Sequence, residues 1–332
     1  MRKIELDKKS KIKYIFISGI AVLLIAAILT VAFVDSKYGI FPEHNADSDE
    51  LVYNGEAYVP RYGIETFLLI GLDKQSLDVN ADDYRNDSQA DFLMLMVFDN
   101  VAKTYCAIQI NRDTVVRMDR IGINGEIVGS VTKQIALSHN YGSGGKDSCK
   151  NVSSAVSNLF YGVDIDHYMS VTLDSVGIIN DLVGGVTLEV LEDFSAVDAN
   201  LGLVKGATVT LNAEQAEAYV RARKDVGDGS NQNRMKRQNQ YFEALQKQLD
   251  EKAKSDPEFI IDALTQMSDH TITDASSGRL DTLSQKIEEY EFKGIKEIDG
   301  NTRVANDMME FHPNEDAFLK LVVESFYESK EK

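Results

Sequence analysis

An uncharged segment of 21 residues, Tyr14–Val34, is the feature that most constrains this chain of 332 residues. As an α-helix it would be about 30 Å long, which matches the hydrocarbon core of a bilayer. Residues 1–13 before it carry six Lys or Arg and two acidic residues. The positive-inside rule therefore predicts a cytoplasmic tail at 1–13, a single transmembrane helix at 14–34 in the cell membrane, and an extracytoplasmic remainder. A cleaved signal peptide is the alternative, but the segment is longer than a usual signal core and no clear A-x-A site follows it.

The rest of the chain is strongly acidic. The formal net charge is −18, and because residues 1–13 contribute +4, the remainder carries −22. Such a protein repels nucleic-acid phosphate, so we expect no nucleic-acid partner. Two cysteines, Cys106 and Cys149, are too few for a disulfide scaffold or a Cys-rich zinc module. They could pair outside the cytoplasm or remain two buried thiols.

Apolar, β-rich segments alternate with helical patterns through residues 66–328, which predicts one α/β domain behind a spacer at 35–65 with little structure. Asp91–Phe98 is apolar on both faces, as expected of a central strand. The predicted strands are Thr66–Gly71, Asp91–Phe98, Thr104–Ile110, His167–Leu173 and Val186–Val190. The predicted helices are Val131–Asn140, Ser148–Phe160, Asp174–Val183, Asn212–Ala222, Asn231–Asp250, Glu258–Met267 and Asn314–Tyr327.

Two aspartates stand at the ends of neighbouring predicted strands. Asp73 follows the first strand and Asp91 opens the second. Strand ends in an α/β sheet line the usual ligand crevice, and two carboxylates could hold Mg²⁺ there together with substrate phosphates. The same residues could instead belong to a solvated acidic loop. A calcium loop is a weaker option, because the D-x-D-x-D-G pattern is not met.

Arginines follow other predicted elements. Arg112 and Asp113 come directly after the strand Thr104–Ile110, where an Arg can hold phosphate with its planar fork or simply pair with the aspartate. Residues two apart on a helix point about 200° apart. Arg221 and Arg223 can therefore reach one ligand only if their helix stops near Val220.

A further basic cluster opens the next predicted helix. Arg234 and Gln238 are four residues apart and share a face of this helix. Cations in a first helical turn oppose the helix dipole, so their presence favours an anion bound at this point over a solvated face. Acidic residues and an Arg cluster together indicate a metal ion and a phosphorylated ligand.

Eight of these segments, in this order, resemble the LytR-CpsA-Psr family of bacterial cell-envelope proteins. The matching stretches are FLLIGLD (67–73), ADFLMLMVFD (90–99), INRDTVVRM (110–118), TKQIALSHNYGSGG (132–145), IDHYMSVTL (165–173), INDLVGGVTLEV (179–190), KGATVTLNAEQAEAYVRAR (205–223) and NRMKRQNQYFEAL (233–245). The resemblance is close over residues 66–250, and FHPNEDAFLKLVVESFY (311–327) looks like the closing helix of the family.

The resemblance implies a central mixed β-sheet flanked by helices, with an apolar tunnel for a polyprenyl chain. It also implies a transferase that moves an anionic glycopolymer, such as wall teichoic acid or capsular polysaccharide, from an undecaprenyl-pyrophosphate carrier to peptidoglycan. The implied reaction is a Mg²⁺-assisted phosphotransfer at the membrane. Its metal ligands fall on Asp73 and Asp91, its catalytic residues are these two with Arg112 and Asp113, and its substrate-binding residues are Arg112, Lys133, Arg221, Arg223, Arg234 and Gln238.

The sequence departs from the family pattern at one arginine position. Gln89-Ala90-Asp91-Phe92 stands where the family usually has R-S-D-T, and Arg85 in the insertion 74–88 could compensate. Two alternatives stay open, and the missing arginine supports the first of them. One is a non-catalytic envelope regulator that binds polyprenyl pyrophosphate, and the other is a pyrophosphatase on the same lipid.

Overall fold

The computed structural model describes residues 50–74, 88–122, 124–255, 259, 263, 266–305 and 307–330. The predicted cytoplasmic tail, the transmembrane helix, the first part of the spacer and Arg85 lie outside these residues. Within the described part of the chain, none of the helices combines the length and the apolar character needed to cross a bilayer.

The described residues alternate between strands and helices. In chain order the strands are β1 Leu51–Tyr53, β2 Glu56–Pro60, β3 Ile64–Leu72, β4 Ala90–Asp99, β5 Thr104–Ile110, β6 Val115–Ile121, β7 Ile127–Gln134, β8 His167–Val171, β9 Thr187–Glu189, β10 Thr208–Thr210, β11 Thr271–Thr273, β12 Glu291–Glu297, β13 Gly300–Ala305, β14 Met308–Pro313 and β15 Tyr327–Ser329. The α-helices are α1 Gly145–Leu159, α2 Asp174–Leu182, α3 Ala213–Arg221, α4 Asn231–Ser255, α5 Ser277–Glu289 and α6 Glu315–Phe326, and short 3₁₀ helices lie at Ile135–Ser138, Ala199–Leu201 and Ser268–His270.

A six-stranded mixed sheet, in the order β11-β8-β3-β4-β5-β12, forms the centre of the molecule. β3 pairs with β8 in parallel and with β4 antiparallel, and β5 pairs with β4 antiparallel and with β12 in parallel. The predicted α/β fold with a mixed central sheet is confirmed. Each of the five predicted strands is also confirmed, with bounds that differ by at most two residues.

Alternate residues of the central strands enter different cores, which explains why these strands are apolar on both faces. Leu68 and Leu95 pack with Val152 of α1 and Phe318 of α6 on one face. On the other face, Phe67, Leu69, Met94 and Met96 pack with Phe242 of α4 and with Leu280 and Leu283 of α5. A third core joins α2, α3 and the later turns of α4.

One predicted helix is wrong. The predicted helix Val131–Asn140 is the end of strand β7 followed by a 3₁₀ turn, because Val131 pairs with Met118 in a β6–β7 hairpin. The amide of Ile135 then donates to the carbonyl of Thr114 at 2.7 Å, which ties this segment to the loop after β5. The predicted helix Glu258–Met267 falls mostly outside the described residues.

The spacer prediction does not hold for residues 51–60. These residues form the hairpin β1–β2, and β2 also pairs with the C-terminal strand β15. The turn is Asn54-Gly55, in which both residues have positive φ, as a tight two-residue hairpin turn requires. The two cysteines are buried free thiols, which decides against their pairing. Burial raises the pKa of Cys149 to about 12, so this thiol stays protonated.

Candidate active site

The antiparallel pairing of β3 and β4 brings Asp73 and Asp91 to the same edge of the central sheet. Leu72 at the end of β3 pairs with Ala90 at the start of β4. The Asp73 amide donates to the Gln89 carbonyl at 3.1 Å, and the Gln89 amide donates to Asp73 Oδ1 at 2.6 Å. The two carboxylates therefore lie on adjacent strand ends with Gln89 between them.

Arg112 reaches the same edge from β5. Leu93 pairs with Ile110, so the residues just after β5 fall beside the start of β4. The Arg112 guanidinium donates to Asp91 Oδ1 and to the Gln89 side-chain oxygen. Its Nε is buried and makes no hydrogen bond to any described residue. That Nε lies 3.6 Å from Asp113 Oδ1, so the side chain is held by Asp91, Gln89 and Asp113.

Asp113 lies behind Arg112 and is almost completely buried. Its Oδ1 accepts a hydrogen bond from Gln134 Nε2 at 3.0 Å, and its Oδ2 is 3.8 Å from Arg223 Nη1. Burial raises the pKa of Asp113, although the guanidinium groups of Arg112 and Arg223 act in the opposite direction. Asp113 is therefore a buried counter-ion for two arginines.

Arg234 enters from the first turn of α4 and is 5% exposed. Its Nη1 is 3.0 Å from Asp91 Oδ2, and its Nε and Nη2 donate to Asn231 Oδ1 at 3.1 and 2.7 Å. Burial lowers the pKa of Arg234, and the Asp91 carboxylate opposes that shift. Both oxygens of Asp91 are consequently paired with guanidinium groups.

The end of α3 separates Arg221 from Arg223. The helix ends at Arg221, one residue before the predicted end at Ala222, and Ala222 continues in an extended conformation with ψ of 134°. Arg223 turns toward Asp113. The exposed Arg221 pairs with Glu217 at 3.4 Å and lines the neighbouring pocket. Gln238 Nε2 donates to the carbonyl of Val220 at 3.1 Å and so fixes this helix end against α4.

The structure brings together most of the predicted site residues, but it does not bring Lys133 into this group. Lys133 is exposed on β7 opposite Val116, and the next residue, Gln134, is the one that reaches Asp113. Asp73, Asp91, Arg112, Asp113, Arg223 and Arg234, with Gln89, are called the charged cluster below.

Sequence reasoning missed a residue that positions the cluster. Arg237 is 1% exposed, and it donates from Nε to the Tyr219 carbonyl at 3.0 Å and from Nη2 to the Ala222 carbonyl. Its Nη1 pairs with Glu192. The helical spacing from Arg234 to Arg237 to Tyr241 was a usable signal, because it places an arginine on the buried face of α4.

An apolar pocket begins at the charged cluster. Its volume is about 860 Å³ including the part open to solvent. Charged and polar residues from the strand and helix ends form one part of its wall, where Asp73 and Arg221 are exposed. The remaining wall is predominantly apolar and is contributed mainly by β8, α2 and α4, through Val171, Leu173, Val176, Ile179, Tyr241, Phe242 and Leu245. This shape suits a ligand with an anionic head and a long apolar tail.

Of the two aspartates, Asp73 is the one with an oxygen left for a magnesium ion shared with a phosphorylated ligand. Mg²⁺ commonly takes one or two carboxylates and fills its other positions with waters and phosphate oxygens. Asp73 uses Oδ1 for the Gln89 amide, and Asp91 is paired with Arg112 and Arg234. Among the described residues, no group of three His, Cys, Asp or Glu side chains could enclose a metal ion. A metal would therefore depend on oxygens from the ligand.

Comparisons with known proteins find relatives of this chain. A teichoic acid transferase of Bacillus subtilis (strain 168), named polyisoprenyl-teichoic acid–peptidoglycan teichoic acid transferase TagV, is 34% identical over 176 residues, which cover 51% of this chain and 42% of that protein. The chain spans about half the length of the curated relatives it matches.

Solved structures share the fold at lower identity. Protein gbs0355 from Streptococcus agalactiae has a TM-score of 0.62 and 19% identity, over 79% of this chain and 86% of that chain. The structure of YwtF (TagT) with bound octaprenyl pyrophosphate lipid has a TM-score of 0.54 and 18% identity, over 79% of this chain and 89% of that chain. The sequence model of the LytR_cpsA_psr family matches residues 44–324, and the chain belongs to this family.

Proposed function

We propose that this protein is a membrane-anchored transferase that takes an anionic glycopolymer from an undecaprenyl-pyrophosphate carrier and attaches it to peptidoglycan. The observation that carries the proposal is the junction of the charged cluster with the apolar pocket. One end offers arginines for a diphosphate, and the other offers an apolar wall for a polyprenyl chain. Relatives named as teichoic acid transferases support the choice of cargo.

The arginines argue for a diphosphate in particular. The net charge of the protein is −18. The cluster of Arg112, Arg223 and Arg234 is therefore a local concentration of positive side chains in an otherwise acidic protein. Guanidinium groups bind phosphate oxygens through paired, charge-assisted hydrogen bonds.

In the proposed reaction, a peptidoglycan hydroxyl oxygen attacks the sugar-linked phosphorus, and the bond from that phosphorus to the bridging oxygen breaks. Undecaprenyl phosphate leaves, and the hydroxyl proton passes to a carboxylate of the charged cluster. The arginines stabilise the negative charge that develops on the phosphate oxygens. A Mg²⁺ ion held by Asp73 and Asp91 would neutralise part of the same charge.

The anchor completes the proposal. A transmembrane helix at 14–34 would hold the domain on the extracytoplasmic side of the cell membrane, where the lipid carrier is confined. Binding then becomes a search in two dimensions rather than three, which raises the effective concentration of the donor.

The test is the substitution Arg112→Lys in the purified full-length chain. Lys keeps the positive charge but loses the planar fork that contacts both Asp91 and Gln89. We expect at least a tenfold loss of affinity for octaprenyl diphosphate and of transfer rate, equivalent to about 1.4 kcal/mol or more. Arg303→Lys, at an exposed arginine paired with Glu310, is the matched control. Equal affinity in both variants would contradict the proposal.

A specific observation also favours a second candidate, a regulator that binds the lipid without turnover. Gln89 stands at the usual arginine position and uses its side chain to hold Arg112, so the site has one cation fewer. An assay with a lipid-linked glycopolymer as donor, a peptidoglycan oligomer as acceptor and Mg²⁺ distinguishes the candidates. Transfer supports the transferase, tight binding without product supports the regulator, and release of glycan phosphate without acceptor supports a pyrophosphatase.

A further inference from the structure

A second cavity lies on the other side of the helical turn that carries Arg234. Gln232 and Met235, three residues apart at the start of α4, line it, whereas Arg234 and Gln238 line the apolar pocket. The cavity measures about 640 Å³ including its open part, and its other walls come from the segments that follow β5 and β12 and from β14. The first turn of α4 thus separates two differently lined spaces.

The chemistry of this cavity differs from that of the charged cluster. Its polar wall includes Asn111, Gln232 and the exposed carboxylates of Glu297 and Asp299, and none of its lining residues is Lys or Arg. Carboxylate oxygens only accept hydrogen bonds, so they suit hydroxyl donors and repel phosphates. Met235 and Phe311 add apolar surface. An uncharged glycan, with hydroxyl edges and C–H faces, matches this mixture.

A buried polar group lies directly behind the lining. Gln109 is 1% exposed and stands opposite Glu297 in the parallel pairing of β5 and β12. Its Nε2 is 3.4 Å from the Met235 carbonyl, and its Oε1 is buried with no hydrogen-bond partner among the described residues. Met235 and Glu297, the two neighbours of Gln109, line the cavity, so this buried amide lies next to the cavity wall.

Hydrogen bonds connect the wall of this cavity to the charged cluster. Asn111 Oδ1 accepts from Asn231 Nδ2 at 2.7 Å, and Asn231 Oδ1 in turn accepts from the guanidinium of Arg234. Asn111 also immediately precedes Arg112 in the chain. A polymer bound in the cavity would therefore lie beside the residues that hold the diphosphate.

We propose that this cavity is the subsite for the acceptor, an uncharged and hydroxyl-rich glycan strand. The proposal rests on the proposed function and deepens it, because it assigns donor and acceptor to opposite faces of the first turn of α4. The negative lining keeps the phosphate-rich donor polymer out and leaves the space to the neutral strand.

The test measures binding of N-acetylglucosamine oligomers, an uncharged probe of the glycan strand, to the full-length chain by titration calorimetry. Gln232→Phe fills the cavity, and Asp299→Ala removes a carboxylate at an exposed position of its wall. Both variants should weaken glycan binding at least tenfold and leave octaprenyl diphosphate affinity unchanged. Glu243→Phe, at an exposed position further along α4, is the matched control and should change neither affinity.

The outcomes separate the two proposals. Unchanged glycan affinity in both cavity variants, or no glycan binding to the native chain, overturns the subsite while leaving diphosphate binding intact. If the native chain does not bind octaprenyl diphosphate, that result would instead contradict the proposed function. Glycan binding that depends on Gln232 would support the subsite even then.

Discussion

At the scale of single residues, the charged cluster places its carboxylates in three different environments. Asp91 is paired on both oxygens with arginines, and Asp113 is buried behind them. Asp73 is exposed at the pocket and has one hydrogen bond, to Oδ1. Desolvation by neighbouring protein atoms raises the pKa of Asp73, and the nearby Asp91 adds to this, whereas the Gln89 amide lowers it. Asp73 and Asp113 are therefore the carboxylates of the cluster with a raised pKa, and Asp73 is the one that is exposed at the pocket.

This environment predicts a pH dependence of stability. Because the folded-state pKa lies above 3.8, the native state binds the proton more tightly than the unfolded state. The contribution of Asp73 to the free energy of unfolding thus falls as the pH rises from about 3.8 through the folded pKa. Asp73→Asn keeps the acceptor for the Gln89 amide and removes the charge. We expect it to raise the urea midpoint at pH 7, with a difference that shrinks toward pH 4, and to abolish transfer.

Urea titrations at several pH values check this prediction. Glu243→Gln makes the same carboxylate-to-amide change at an exposed position of α4 and serves as the control. A lower midpoint for Asp73→Asn at pH 7 would mean that the ionised carboxylate stabilises the native site, which contradicts the prediction.

At the scale of elements, the joint between α3 and α4 determines where Arg221 and Arg223 point. Arg237 of α4 holds the carbonyls of Tyr219 and Ala222 at the end of α3, and Glu192 neutralises it. The ring of Phe194 lies 5.4 Å from the guanidinium carbon. One buried arginine therefore positions the two arginines of the preceding helix end without facing the pocket itself.

The substitution Arg237→Met tests this positioning role. Removing one partner of a buried ion pair leaves Glu192 without its counter-ion, which costs about 3–5 kcal/mol. We expect a loss of that order in the free energy of unfolding, together with weaker octaprenyl diphosphate binding because the Ala222 segment loses its anchor. Lys236→Met, at the exposed neighbouring position, should change neither quantity.

A double variant distinguishes positioning from general destabilisation. Glu192→Gln added to Arg237→Met removes the uncompensated charge and should restore part of the stability. Diphosphate affinity should stay low in the double variant, since the contacts to Tyr219 and Ala222 remain absent. Recovery of affinity along with stability would show that Arg237 acts on folding alone.

The elements that sequence reasoning predicted best are those with strong local signals. Asn212 and Gln215 form the capping box that opens α3, and the apolar β4 lies at the centre of the sheet. The predictions that were wrong concern segments whose structure depends on strand pairing with another part of the chain. The segment around Val131 has apolar residues that also suit a helix, but pairing with Met118 made it a strand. The Asn54-Gly55 hairpin signal was present and was missed within an acidic stretch.

The candidate site was predictable in part for the same reason. Strand ends and helix starts indicated Asp73, Asp91, Arg112 and Arg234, because these positions depend on element boundaries. The different directions of Arg221 and Arg223 depend on the exact residue at which α3 ends, and spacing alone does not separate them. The exposed setting of Lys133 follows from the unpredicted β6–β7 hairpin.

At the scale of the whole molecule, the apolar pocket could not be predicted from the spacing of apolar residues in the sequence. Its walls combine Val176 of α2, Phe242 and Leu245 of α4, and Val171 of β8. Each of these residues has the spacing of an ordinary core position, so the sequence predicts burial but not a gap between the elements. The pocket exists because α2, α3 and α4 form a core of their own beside the sheet.

The proposed anchor makes a prediction about the molecule as a whole. If residues 14–34 hold the domain at the membrane, a chain that lacks residues 1–34 must find a lipid-linked donor by diffusion from bulk solution. With the donor in vesicles, we expect its apparent KM to rise by about 10²-fold or more, since tethering gains of 10²–10⁴ are typical. With a short-chain donor dissolved in detergent, the two proteins should have the same KM and the same maximal rate.

Transfer assays in both formats check this prediction. A chain in which Tyr14–Val34 is replaced by an unrelated apolar segment of equal length is the control, and it should recover the low KM in vesicles. Because the charged cluster and pocket are unchanged in every variant, a difference confined to vesicles reports tethering and not chemistry. An equal KM in vesicles for the shortened and full-length chains would mean that the domain reaches its lipid without the anchor.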